Sequence, residues 1–310
     1  MRKGTDLITL DMLEKLGACD EGKKLFAEHH PDGDEYQKVL DIACEHDRPD
    51  FASWLLSKLG ATVDVLTVDE IKTDKAVVFA GKIVAKFSIE AGGPIVTGGP
   101  IVAGGSIVAD GPIEAGGSIV AGGSIEADGP IEADGQIKAD GQIEVGWSIE
   151  AGGPIVTGGS IEAGGSIAAD GPIEADWSIV AGGSIEAGGA IVAGGSIEAG
   201  GPIVTGGSIV AGGSIVADGP IEAGGSIETG GPIKAGGPIV AGSLIKADGP
   251  IEADWSIVAG SLIKAGYGFG IYAGLKAKLS DKSNRTVIAK IQPDNLMCGE
   301  FAPLEDSHED

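Results

Sequence analysis

Glutamates that recur at fixed intervals are the residues of this sequence whose side chains could most clearly bind a partner. Between residues 83 and 264 an isoleucine recurs every six residues without insertion or deletion, and the residue after it varies. Sorted by an 18-residue period, this variable position forms three rows, two of them rich in glutamate. The first glutamate row is Glu90, Glu126, Glu144, Glu162, Glu198 and Glu252, and the second glutamate row is Glu114, Glu132, Glu150, Glu186 and Glu222. Rows of carboxylates attract basic surfaces, which predicts electrostatic binding of a protein partner.

The third row is mainly apolar, and Glu174 and Glu228 are its acidic members. Its valines, here called the valine row, are Val84, Val102, Val120, Val156, Val192 and Val210. An exposed apolar stripe is typical of an interface, and closure by a two-fold axis would give a homodimer. The alternative is that valine is a good strand former that is tolerated singly in the open.

Three tryptophans, Trp147, Trp177 and Trp255, each replace a turn glycine of the repeat. An aromatic ring at a corner can anchor a partner, and it can also cover a local groove. The aspartates of the repeat follow no single row, so we interpret them as turn residues and not as metal ligands. In the N-terminal region His29 and His30 are adjacent and His46 stands alone, which predicts solvated or loop histidines without a metal.

The repeat unit, Ile-Xaa-Ala-(Gly/Asp)-Gly-(Ser/Pro/Gln), must position these rows. Its glycine content argues against a helix, its spacing breaks the collagen rule, and its strict register argues against disorder. Isoleucine and alanine would face one side of a short strand, and Asp-Gly or Gly-Gly would form a corner that permits positive φ. Three units then close a triangular coil of 18 residues, and roughly ten coils stacked about 4.8 Å apart make a rod of roughly 50 Å.

This repeat, as in Ile125 to Pro130, resembles the triangular β-solenoids, both the left-handed hexapeptide-repeat helix and the right-handed bactofilin-like helix. The resemblance implies a mostly β fold and leaves handedness open. The hexapeptide family includes acyltransferases, which use a histidine base and usually a loop that interrupts the coils. Residues 83–264 contain no histidine, no cysteine and no insertion. We therefore expect no enzyme and no cofactor.

Charge sets the partner class. The chain has 310 residues and a net charge of -25, and residues 83–264 hold 22 acidic against 5 basic residues, a net charge of -17. Such a surface repels DNA, RNA and anionic membranes, so we expect neither nucleic-acid nor membrane binding. The three cysteines have no disulfide pattern. Residues 1–20 contain no signal peptide, and no apolar run is long enough to span a membrane. We therefore predict a cytoplasmic protein.

Residues 1–60 have helical periodicity and predict a small helical domain. We expect a helix capped by Asp6 that ends near Gly17, a second from Asp20 that Pro31 stops, and others over 34–44 and 49–59. The segment Asp11 to Cys19, followed by Leu25-Phe26 and Pro31-Asp32-Gly33, resembles the helical N-terminus of uncharacterised phage and prophage repeat proteins. That resemblance implies a phage-associated origin, and hence the cytoplasm of a host cell.

The flanks of the repeat predict its ends. Residues 61–82 keep the six-residue register at Val65, Ile71 and Val77, so we expect a transition into the first coil there. The main solenoid is assigned to 83–265. Alternating apolar residues predict a C-terminal β cap over 266–303, and 304–310 form an acidic tail.

Two functions from different classes fit these features. The first is an acidic, rod-shaped binding protein that mimics nucleic acid and inhibits a basic host protein of defence or replication. The second is a structural scaffold, spacer or bactofilin-like assembly subunit. The glutamate rows favour the first, and the repetition and the valine row favour the second.

Overall fold

The computed structural model describes residues 6–276 and 283–304. The chain divides into two compact units, residues 1–147 and 148–310. The strands return every 18 residues in parallel register, and the two units together hold about thirteen turns of a β-solenoid. The predicted fold class, a mostly β solenoid with an N-terminal helical region and a C-terminal strand cap, is confirmed.

Four helices open the first unit: α1 (Leu10–Leu16), α2 (Asp20–His29), α3 (Tyr36–Glu45) and α4 (Pro49–Leu59). The predicted Asp6 cap is wrong, because residues Leu7–Ile8 form a strand antiparallel to Asp34–Glu35. The first helix therefore begins after Thr9, whose hydroxyl accepts a hydrogen bond from the Met12 amide at 3.3 Å. The same pairing delays the third helix from residue 34 to residue 36.

The helices share one hydrophobic core with the first turns of the solenoid. Phe26, Tyr36 and Leu55 are buried in it, together with Val78 and Val96 from the solenoid. The last two occupy outward positions in the same register as the second glutamate row. A helical layer therefore covers the start of that row, which explains why valine stands there in place of glutamate.

Gln37 on α3 completes the hydrogen bonding of the first coil. Its Nε2 donates to the Val78 carbonyl oxygen at 2.9 Å, and its Oε1 accepts from the Ala80 amide at 3.0 Å. A side-chain amide offers the same donor and acceptor as a peptide group. Gln37 thus continues the ladder at a strand, Val77–Phe79, that has no earlier neighbour in its sheet.

The solenoid strands of the first unit form three parallel sheets. The sheet of the valine row holds Val65–Val68, Lys82–Ala85, Ile101–Ala103, Ile119–Ala121 and Ile137–Ala139. The sheet of the first glutamate row holds Ile71–Thr73, Ile89–Ala91, Ile107–Ala109, Ile125–Ala127 and Ile143–Val145. The sheet of the second glutamate row holds Val77–Phe79, Ile95–Thr97, Ile113–Ala115 and Ile131–Ala133.

The strands of the second unit also return every 18 residues, and by that period their outward positions are assigned to the same three rows. Its valine-row strands are Ile155–Thr157, Ile173–Ala175, Ile191–Ala193, Ile209–Ala211, Ile227–Thr229, Ile245–Ala247 and Ile263–Lys264. The strands of the first glutamate row are Ile161–Ala163, Ile179–Ala181, Ile197–Ala199, Ile215–Ala217, Ile233–Ala235, Ile251–Ala253, Ile271–Ala273 and Leu296–Cys298. Those of the second are Ile149–Ala151, Ile167–Ala169, Ile185–Ala187, Ile203–Thr205, Ile221–Ala223, Ile239–Ala241, Ile257–Ala259, Thr286–Ala289 and Glu300–Pro303.

Burial follows the predicted strand period. The isoleucines of the repeat, from Ile83 to Ile263, are at most 1% exposed, and the residue two positions later is also buried wherever the strand has three residues. One register differs from the prediction at the start: Leu66, and not Val65, pairs with Ile83. Val65 is 54% exposed, because the inward position of the first valine-row strand falls one residue later.

The corners do not use the backbone conformation that the sequence predicts. The glycines with positive φ are Gly17, Gly33, Gly60, Gly268, Gly274 and Gly299 in the described residues, and all lie outside the repeat. The repeat glycines are needed instead because the backbone of the preceding coil passes close to them. A Cβ on Gly104 would clash with the carbonyl oxygen of Lys86, which lies one coil earlier.

Beyond Ile263 the register loosens into the C-terminal strands given above, with a 3-10 turn at Ser283–Arg285. Ile271 pairs with Ile251, and Val287 pairs with Ile257, so the cap extends the sheets of the two glutamate rows. Of the predicted acidic tail, 304–310, residues 305–310 lie outside the described residues.

Candidate interaction surfaces

The glutamates form continuous stacks over a short part of the first unit. Glu114 pairs in register with Glu132, and Glu126 pairs with Glu144. Parallel pairing places like side chains on neighbouring strands about 4.8 Å apart, where like charges repel. Glu114 is half-buried and the other three are exposed. Burial, and then the charge of Glu132, raise the pKa of Glu114 above its ordinary value.

Most other glutamates of the two rows have an uncharged or basic neighbour. Glu198 lies between Val180 and Val216, and Glu222 lies between Val204 and Val240. Glu90 pairs with Lys72, whose Nζ lies 2.5 Å from the carboxylate. Glu186 has Ala168 and Val204 as neighbours, and Ala168 is also a neighbour of Glu150. The predicted ladders are therefore densest between residues 114 and 144.

Val84, Val102 and Val120 stack on three successive strands of the first unit, and Lys138 follows them. In the second unit Glu174 separates Val156 from Val192. Val192 then pairs with Val210, which is 39% exposed. On the first unit the valine row thus has an apolar strip of three successive valines that ends at Lys138. On the second unit glutamate interrupts it.

Outward valines elsewhere in the first unit show what covers such positions. Val78 and Val96 are 3% and 6% exposed because the helical region packs on them. Val84, Val102 and Val120 occupy the same outward position on another sheet, and each stays half-exposed. These three stacked, half-exposed valines form an apolar stripe on the first unit, and such a stripe is typical of a protein interface.

The three tryptophans lie at bends between the strands. Trp147 and Trp177 are 67% and 68% exposed, and Trp255 is 41% exposed. The C-terminal segment partly covers Trp255, because the Gly274 amide donates to its carbonyl oxygen at 2.8 Å. Its neighbour Asp254 also pairs with Lys276 at 2.6 Å. Trp147 and Trp177 are therefore the more accessible candidates for anchors.

The histidines form no metal site in the described residues, which contain no group of three or more potential ligands. The rings of His29 and His46 lie 4.2 Å apart between centroids, and both are exposed. The prediction of a solvated histidine is wrong for His30, which is only 5% exposed. It lies against Phe26, and its Nδ1 is 3.0 Å from the Asp34 carboxylate, which a pattern of two adjacent histidines does not predict.

A cavity of about 290 Å³ lies between α3 and the first coil, and the sequence did not predict it. Gln37, Asp41 and Cys44 line one side. Burial raises the pKa of the Cys44 thiol to about 11, so this cysteine is a neutral thiol at physiological pH. Cys19, Cys44 and Cys298 are all free.

Residues 1–61 match the sequence model of the family described as YdhT N-terminal domain. Searches of curated proteins and of solved structures each found no match. The likeness covers α1 to α4 and ends before the first solenoid strand at Val65. Among the residues that the structure describes, no helix has both the length and the apolar character needed to cross a bilayer.

Proposed function

We propose that this protein is a non-enzymatic, acidic binding protein that occupies a basic surface on a partner protein in the manner of a nucleic acid. The observation that carries the proposal is the stacking of Glu114 on Glu132 and of Glu126 on Glu144. In-register pairs of like charge weaken a sheet. A cationic partner removes that repulsion, so the arrangement is better suited to a bound state than to an isolated one.

The proposed mimicry depends on the electrostatic field of the surface, and not on carboxylates spaced like phosphates. Duplex DNA has one phosphate per strand about every 3.4 Å, whereas successive strands of a sheet are about 4.8 Å apart. Aspartates at the corners, including Asp128 and Asp134, add negative charge beside the stacks. A partner would therefore recognise the sign and width of the potential through several arginines or lysines, with an affinity that falls as salt rises.

A resemblance in the N-terminal region gives the proposal a biological setting. The predicted resemblance of the segment from Asp11 to Gly33 to phage and prophage proteins favours a role inside a bacterial host. The target class would then be a basic DNA- or RNA-handling protein of host defence or replication, in the host cytoplasm. Trp147, which is exposed and follows the stacked glutamates, would supply an aromatic contact to a cationic side chain.

A charge-matched pair of variants tests the proposal. One variant changes the stacked residues Glu114, Glu126, Glu132 and Glu144 to Gln. The control removes four charges with uncharged neighbours by changing Glu174, Glu186, Glu198 and Glu222 to Gln. Fluorescence anisotropy with a labelled nona-arginine peptide should show binding that the stacked variant weakens about tenfold and the control weakens much less. A second titration measures displacement of labelled DNA from a basic DNA-binding protein.

The two titrations have clear negative outcomes. Equal losses in both variants would assign the binding to net charge and remove the stacked site. Absence of binding to the peptide at low salt would overturn the proposal as a whole. Peptide binding without displacement of DNA would retain a basic partner and reject nucleic-acid mimicry.

A second candidate function, a structural or scaffold role through self-association, is favoured by the strip formed by Val84, Val102 and Val120. Light scattering should then give a mass of about twice 30.8 kDa. The combined variant Val102→Asp, Val120→Asp and Val192→Asp should be a monomer. Val216→Asp, on the first glutamate row, is the control. A monomeric wild type would reject the dimer, and growth into long polymers would favour a filament scaffold.

A further inference from the structure

The first coil of the solenoid has an inner side that no earlier coil covers. In the repeat the inward isoleucines are at most 1% exposed, whereas Leu66, Ile71 and Val77 in the first coil are only half-buried. The helical region packs over the outward residues Val78 and Val96 and does not close this opening. The three half-buried side chains therefore form one apolar wall of the cavity beside α3.

The opposite wall is polar and negative. Asp41 on α3 accepts a hydrogen bond from Gln37 Nε2 at 2.8 Å through one carboxylate oxygen. Its second oxygen accepts no hydrogen bond from the described residues. Glu45 lies one helical turn later on the same wall. Asp41 stays open to solvent on one side, yet the protein packed around its carboxylate raises its pKa above the ordinary value, with a smaller contribution from Glu45.

The other polar groups of the cavity have their partners inside the protein. Gln37 uses both functions of its amide on Asp41, Val78 and Ala80. Lys75 also lines the cavity, but its Nζ is paired with Asp47 at 2.6 Å. Cys44 is an uncharged thiol. Among the described residues no cationic group is therefore paired with Asp41, so a bound cation would complement the charge of this wall.

We infer that this cavity binds a small aliphatic ammonium group, with the alkyl chain against Leu66, Ile71 and Val77 and the ammonium on Asp41. Its volume of about 290 Å³ lies at the lower end of the range for small-molecule sites, which fits a short chain. A carboxylate opposite an apolar wall offers such a ligand a counter-charge for its ammonium group and a hydrophobic contact for its chain. The natural source is either a free alkylamine or the lysine side chain of a peptide.

The probes are n-hexylammonium, 1-hexanol, hexanoate and Nα-acetyl-lysine methylamide, titrated into the full-length protein by calorimetry. Methyl shifts of Ala76 and Val77 in NMR spectra locate the binding. Hexylammonium should bind at least about tenfold more tightly than hexanol, and hexanoate should not bind. Asp41→Asn, which preserves the shape of the side chain, should reduce hexylammonium to the level of hexanol. Glu28→Gln on the exposed side of α2 is the matched control and should change nothing.

Other results overturn the inference. Equal binding of hexylammonium and hexanol, binding of hexanoate, or an unchanged preference in Asp41→Asn would each show that no cation site exists. Shifts confined to residues outside the cavity would do the same. Binding of the lysine derivative together with hexylammonium would identify a peptide side chain as a ligand, and binding of hexylammonium alone would identify a free amine.

Discussion

The helical region and the repeat bury their side chains by opposite strategies. Between residues 6 and 60 each large core residue, such as Phe26 or Tyr36, occurs once and contacts its own set of neighbours. In the repeat the same isoleucine returns on successive strands and contacts its copies one coil away. A repeat of this kind has a stability that is close to a sum of neighbour terms. The helical region, by contrast, depends on each member of a single cluster.

A large-to-small change in the helical core should have the largest effect. Phe26 is 2% exposed and packs against His30, so Phe26→Ala leaves a cavity that costs about 4 kcal/mol. Urea denaturation followed by circular dichroism should show early loss of the helical signal, while the β signal persists. Simultaneous loss of both signals would contradict the expectation that coils beyond the shared core stay folded without the helices.

A methyl group added at a corner of the repeat should have the next largest effect. The Cβ of Gly104→Ala would clash with the backbone of Lys86, and forced shifts of this type cost about 2 kcal/mol. Gly17→Ala is the control, because its φ of 79° disfavours alanine although its surroundings are open. That change should cost about 1 kcal/mol in thermal denaturation. Equal costs would mean that close approach does not determine the repeat glycines.

Removal of one methyl group from the repeat core should have a smaller, uniform effect. Ile191→Val and Ile209→Val lie on paired strands and are both fully buried. Each should cost about 1 kcal/mol. The two values, from denaturant titrations, should agree within about 0.5 kcal/mol because the sites have the same environment. Clearly unequal costs would show that the coils are not equivalent.

The smallest effect should come from a stacked glutamate and depend on pH. The raised pKa of Glu114 means that the folded state binds this proton more tightly than the unfolded state does. Ionisation therefore destabilises the fold at neutral pH, and the penalty disappears below the ordinary pKa of about 4.3. Glu114→Gln should be more stable than wild type by about 0.5 kcal/mol at pH 7 and equal to it in acid. Glu222→Gln, between two valines, is the control.

The sequence predicted the repeat well because a single period fixes its strands, its inward residues and its three rows. It predicted the start of α2 at Asp20, and it predicted α4 over 49–59, where Pro49 occupies the first helical position. It placed the first helix too early, because the strand at Leu7–Ile8 depends on a distant partner strand, Asp34–Glu35. The cavity beside Asp41 was not predictable from a local pattern, since it arises from where the helices pack on the solenoid. Val78 and Val96, in place of glutamate, were the one visible trace of that packing.

The equivalence of the coils gives the gene an unusual tolerance to changes in length. Slippage during replication that adds or removes eighteen codons would insert or delete a whole coil and leave every later residue on its original face. Slippage by six codons would preserve the isoleucine core but rotate all later residues to the next face, so that glutamates would join the valine row. Selection on such alleles could therefore separate the fold from its surface, because six-codon changes alter only the second.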